Sequence, residues 1–108
     1  MISVELKNVQ VIAANAQTVQ LNAGQRTKQD VLMSCQTSRG VEMLQAEVWD
    51  EQIARLNIQQ GEFFASALCG LIGRQSKGRW FYSLSLLKVV RSDELNYPAQ
   101  DVQDDVEF

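Results

Sequence analysis

Ten Lys and Arg side chains and eight aromatic rings are the groups in this 108-residue chain with chemistry to offer. Five of the cations, Arg26, Lys28, Arg74, Lys77 and Arg79, stand in polar or turn-forming stretches, and Trp49, Trp80 and Phe81 stand at the ends of apolar runs nearby. Cations neutralise phosphates and flat rings stack bases, the two ingredients of a sequence-tolerant single-strand site. Catalysis has much less to work with. There is no histidine, no G-x-S-x-G and no phosphate-cradling glycine motif. The adjacent acids Asp50 and Glu51 read as a helix cap and a solvated charge at a helix start. Cys35 and Cys69 lie in apolar, strand-like stretches without a C-x-x-C spacing, so two buried thiols are expected, with no metal and no cofactor. The expectation is a protein that binds and does not catalyse.

The formal charge of -3 conceals an uneven distribution. All ten cations fall in residues 1–92 against seven acids, which leaves that part at +3, while six acids leave the last sixteen residues at -6. A mildly basic body with an acidic tail predicts two interaction surfaces of opposite sign. Length sets one core, so residues 1–92 are expected to form a single domain and residues 93–108 a tail. The apolar fraction of 45% is enough to build that core and argues against general disorder. No apolar run reaches the roughly 20 residues that cross a bilayer, and residues 1–7 alternate instead of forming a signal-peptide core. A soluble, cytoplasmic protein without membrane contact is expected.

Period-2 alternation then supplies the elements that would hold these groups. Ile2, Val4 and Leu6 alternate with Ser3, Glu5 and Lys7, giving a first strand that extends to Ile12. Residues 13–28, rich in Asn and Gln, read as a long connection or floppy hairpin arms turning at Gly24. Residues 31–36 and 41–49 read as two strands joined by a turn at Ser38, Arg39 and Gly40, followed by a short helix from Asp50 to Leu56. Residues 63–72 and 80–90 complete five strands around a basic turn at 73–79. Three strands, a short helix and two further strands, with no helix long enough to cover a parallel sheet, predict an all-β fold: a five-stranded OB-fold barrel.

Side-chain parity sorts the rings. Leu44, Ala46 and Val48 share one face of the third strand, so Trp49 falls on the more polar side with Met43, Gln45 and Glu47. In the last strand, leucines that face the core would make Phe81 the outward ring, and a bulge would reverse this. Core packing is the bland alternative for every ring. It is expected for Tyr82, Phe63 and Phe64, exposure is expected for Trp49, and Trp80 and Phe81 stay open between the two.

The segments Glu47-Val48-Trp49-Asp50, Gly61, and Gly78-Arg79-Trp80-Phe81-Tyr82 running into Lys88-Val89 resemble the second half of bacterial single-stranded DNA-binding proteins and related small OB-fold proteins, over residues 28–90. The opening Met1-Ile2-Ser3-Val4-Glu5-Leu6-Lys7 is similar to the start of the filamentous-phage single-stranded DNA-binding protein, an OB-type fold that works as a dimer. The end, with Asp101, Asp104, Asp105 and Phe108, resembles the acidic, aromatic-ended tip with which the bacterial family recruits replication and repair partners; Glu107 departs from it, where the family usually has proline. The resemblance implies single-stranded DNA as the ligand, a homo-oligomer, and partner proteins at the tail. Two other roles use the same barrel: a protein-interaction or assembly module, and single-stranded RNA binding.

Overall fold

The structure, a computed structural model, describes residues 1–91. Its element order is β1 (Ile2–Leu21), β2 (Gly24–Thr37), β3 (Gly40–Trp49), α1 (Glu51–Leu56), β4 (Phe63–Ser76) and β5 (Arg79–Arg91). The strands close into a barrel in the order β1-β2-β3-β5-β4, with β4 returning to β1. Only β3 and β5 run parallel, through the short pairing Ala46 to Leu84 and Glu47 to Ser85. A five-stranded barrel of this order, with its helix between the third and fourth strands, is an OB-fold. The acidic segment expected at 93–108, with Asp101, Asp104, Asp105 and Phe108, lies outside the described residues.

One long strand makes closure possible. β1 pairs with β4 from Ile2 to Gln10 and with β2 from Val9 to Leu21. A straight strand of its 20 residues would reach about 66 Å at about 3.3 Å per residue, far more than a small barrel admits. It bends where Asn8 takes a φ of 54° and where a bulge between Val11 and Ala13 shifts the register with β2. Beyond the bend, residues 13–28 are the hairpin arms and not the long connection of the two expected alternatives, and the arms are regular strand in place of floppy. They are two paired strand extensions that turn at Asn22 and Ala23. Both faces of this ribbon are largely solvated, so its sequence lacks the apolar alternation that marks a half-buried strand.

The core is built from the inward positions of every strand. Val9, Val11, Val31, Met33, Ala46, Val48, Phe64, Ala67, Cys69 and Leu86 are buried, with Leu56 and Ile58 closing the base from α1 and the segment after it. The helix stops after six residues because Asn57 adopts the left-handed conformation, φ 49°, and donates its N–H to the Ile53 carbonyl at 3.0 Å. Arg91 then ties this corner to β5. It donates to Glu62 Oε2 at 2.7 Å and to the Leu56 and Asn57 carbonyls at 2.8 and 3.1 Å, with its guanidinium 5.6 Å from the Phe64 ring. The helix carbonyls left without an intrahelical partner thus meet a cation, the favourable charge at that end.

Among the described residues no helix is long and apolar enough to cross a membrane.

Candidate nucleic-acid interface

Alternation builds one open wall. On β2, Val31, Met33 and Cys35 point into the core, so Lys28, Asp30, Leu32 and Ser34 point out. Their partners on β3 are Trp49, Glu47, Gln45 and Met43, which face the same way. Through the pairing of Glu47 with Ser85, this face continues along β5 to Ser83 and Phe81 and across to Arg74 on β4. Met43 is 52% exposed and Val41 63%, so the wall offers apolar surface between its polar ladder positions. Parity in the sequence already put Met43 beside Trp49; its exposure, and that of Val41, required the absence of a covering element.

The Trp49 end of the wall is crowded with charge. Arg26 lies with its guanidinium carbon 4.6 Å from the indole centroid and Lys28 Nζ 5.9 Å from it, while the indole N–H donates to Glu47 Oε1 at 3.3 Å. Trp49 therefore faces outward as expected, yet it is half-buried under its own cations. Arg26 is held there by Asp50, its Nε and Nη2 at 2.7 and 2.6 Å from Oδ2. Lys28 lies 3.4 Å from Asp30 and 3.6 Å from Glu47. Asp50 does not cap α1 with its side chain, contrary to the expectation from its position before the helix. Its carboxylate accepts from Arg26 and, at 3.2 Å, from the Thr27 N–H. The hydrogen bond from Arg26 chiefly, with that N–H and the nearby positive charge, holds the Asp50 carboxyl below its ordinary range against the opposing effect of burial. A backbone φ of 51° at Asp50 turns the carboxylate back toward β2 and away from the helix start.

At the other end the chemistry is open. β4 and β5 extend past the barrel as a hairpin whose turn is only Lys77 and Gly78, both at positive φ, 53° and 77°. Positive φ at both central residues is the tight turn whose twist matches two antiparallel strands, and glycine takes it without strain. The seven-residue turn read over 73–79 is therefore mostly strand. Arg74, Lys77 and Arg79 are exposed, and among the described residues none of them is ion-paired. From Phe63 to Arg91 there is no acidic residue at all. Trp80, Phe81 and Tyr82 are 60%, 52% and 67% exposed. Arg74, Ser76, Phe81, Tyr82 and Ser83 line a shallow pocket of about 320 Å³.

Two ring expectations fail. Tyr82 and Phe63, the latter 59% exposed, are not in the core, whereas Phe64 is 1% exposed and central to it. Tyr82 has the parity of the core leucines Leu84 and Leu86, but its position on the hairpin lies beyond the barrel, where nothing among the described residues covers it.

The five cations do not form one cluster. Lys28 pairs with Trp49 at the C-terminal end of β3, while the parallel pairing of β3 with β5 carries Arg79 and Phe81 toward the N-terminal end of β3. Arg26 and Lys28 thus stand at one end of the wall, compensated by acids, and Arg74, Lys77 and Arg79 at the other, with no compensating acid among the described residues. A polyanion meets its free positive charge on the β4–β5 hairpin.

Elsewhere the reactive groups are sealed or scattered. Cys35 donates its thiol to the Lys7 carbonyl at 3.3 Å, and burial pushes the Cys69 thiol up to about 11, so it is not a nucleophile near neutral pH. Among the described residues no group of three metal-ligating side chains comes together.

The geometry defines an OB-fold with a solvent-open wall of rings and cations on β2, β3 and β5. No protein-family model and no curated protein matches the sequence. Among solved structures, the chain is similar to the small single-stranded DNA-binding protein from Streptomyces coelicolor, at 12% identity and a TM-score of 0.42, over 84% of this chain and 94% of that one. It is also similar to the second OB-fold domain of replication protein A from Methanococcus maripaludis, at 16% identity and a TM-score of 0.48, over 85% of each chain. The fold assignment rests on the strand order, register and helix position described above.

Proposed function

We propose that this domain binds single-stranded DNA without catalysis, laying the strand across the outer wall of β2, β3 and β5. Bases stack on Trp49 and Phe81, with Met43 and Val41 as apolar ground between them. Arg74, Lys77 and Arg79 neutralise phosphates at one end, and Arg26 and Lys28 do so at the other once a base has displaced them from the indole. The observation that carries this reading is the strand pairing of an exposed Phe81 with an exposed Arg74, which has no ion-pair partner among the described residues, on an acid-free hairpin that shares its outward face with Trp49. Stacking contributes about 1–3 kcal/mol per base, so two rings suffice for useful affinity even with a body charge of only +3. For the acidic segment we propose partner recruitment through Asp101, Asp104, Asp105 and Phe108, whose charge and ring suit a basic, apolar groove.

The test is a titration of labelled oligonucleotides at two salt concentrations, with single-stranded DNA, single-stranded RNA and a duplex of equal length. Salt-sensitive binding that prefers single-stranded DNA, with quenching of tryptophan fluorescence, supports the proposal. Binding to none of the three at low salt overturns it, and a preference for RNA transfers the wall to that ligand. Light scattering with and without oligonucleotide separates a stable assembly indifferent to nucleic acid from a binding domain.

A further inference from the structure

The β4–β5 hairpin has a second aromatic face that the wall does not use. Trp80 and Tyr82 alternate with Phe81 along β5 and pair with Gln75 and Gly73, so they stand on the strand face opposite Phe81 and Arg74, with Tyr82 also at the edge of the pocket that Arg74 and Phe81 line. A Cβ placed on Gly73 would come within 3.2 Å of Tyr82 Cε1 and 3.9 Å of Trp80 Cε3, so both rings lie over the same stretch of bare glycine backbone. They carry the parity of Leu84 and Leu86, yet the hairpin has left the barrel and both are more than half exposed. Two neighbouring large rings on the uncovered side of a strand pair form a flat apolar platform, and such a patch marks a contact surface. Its surroundings choose the contact. Between Glu62 and Asp93 the chain has no acid, and Lys77 and Arg79 stand at the hairpin tip. A platform of this charge attracts a polyanion that carries flat bases.

We infer that Trp80 and Tyr82 stack the bases of a second segment of single strand, so that one hairpin holds two segments on opposite faces, with Lys77 and Arg79 serving the backbone as it passes the tip. This rests on the proposed function, and it adds a second site to the first. A short oligonucleotide then has two places to bind on each chain, and a long one wraps the hairpin and occupies both.

Isothermal titration with a short oligonucleotide of about 6 nucleotides and a long one of about 24 tests this, lengths chosen around the 4–16 nucleotides that one OB-fold covers. The wild-type chain is expected to bind two short oligonucleotides. The double variant Trp80→Ala, Tyr82→Ala is expected to bind one, with long-strand affinity lowered at least fivefold, the smallest loss that one stacked base implies, and Trp80→Ala alone is expected to lower long-strand affinity while keeping the affinity of the wall site within twofold. Trp80→Phe with Tyr82→Phe keeps a ring at each position and is expected to restore the second site. These residues lie outside the core, and thermal unfolding of each variant checks that the barrel is intact. A wild-type stoichiometry of one overturns the inference while leaving the wall in place, as does a Trp80→Ala variant that weakens the wall site. Failure of the wild-type chain to bind either length overturns the proposed function and this inference with it.

Discussion

Removing Trp49 should weaken single-strand binding less than removing Phe81, although the indole is the larger stacking surface. Arg26 already occupies the indole face at 4.6 Å and is itself anchored by Asp50. A cation over an exposed ring is worth about 0.5–1 kcal/mol. A base that takes this place must forgo that contact, so a stacking gain of about 1–3 kcal/mol shrinks to about 0–2.5 kcal/mol. At about 1.4 kcal/mol per tenfold, Trp49→Ala then loses about 60-fold in affinity at most, and at the low end almost nothing. Phe81 has no cation over its ring among the described residues, so Phe81→Ala loses the full stacking term, about 5- to 140-fold. Arg26→Ala completes the set. It removes one phosphate partner, which matters most at low salt, and uncovers the indole, which matters at every salt. Its binding curve is therefore expected to be weaker than wild type at low salt and equal or tighter at high salt. Fluorescence anisotropy of a labelled oligothymidylate across a salt series measures all three. If Trp49→Ala costs more than Phe81→Ala, and Arg26→Ala is weaker throughout, the guanidinium is a partner of the bound base and not a cover, and the reasoning is refuted.

Other consequences follow from the same contacts. Arg74→Ala should lower the slope of log affinity against log salt by about 0.7, the value for one phosphate contact on a single strand, and an unchanged slope would remove Arg74 from the interface. Phe64→Ala empties the centre of the core, since Phe64 is 1% exposed, and should destabilise the fold by about 3–5 kcal/mol; a thermal midpoint lowered by less than about 10 °C would contradict that packing. The hydrogen bond from Arg91, first among its causes, holds the Glu62 carboxyl below its ordinary 4.5. Its contribution to stability is therefore complete above that value and is lost as the pH falls through the lower folded value. Chemical denaturation across pH should show Glu62→Gln less stable than wild type near neutrality, with the gap closing in acid, and a gap independent of pH would rule the ion pair out as its source.

The elements with one wet and one dry face were legible in the residues. Val4 and Leu6, the Leu44, Ala46 and Val48 side of β3, and the short helix ending at Leu56 all announce themselves by period, because burial of one face forces a repeat on the sequence, while Ile2 keeps the alternation of β1 but is itself exposed. The outward direction of Trp49 followed from the same alternation. The hairpin arms at 13–28 did not, since a ribbon solvated on both faces is free of that constraint. Tyr82 misled for a related reason: parity reports which way a side chain points and not whether anything lies opposite.

Composition and order alone determined an all-β chain of five strands and one short helix, rings and cations in suggestive places, and little means for catalysis. Which cations are available was decided only in three dimensions. Arg26 and Lys28 look equivalent to Arg74, Lys77 and Arg79 along the chain, but they fold against Asp50, Asp30 and Glu47, while among the described residues the β4–β5 hairpin meets no acid. Local sequence encodes the period of burial. The pairing of charges across strands depends on register and closure, which no local pattern contains.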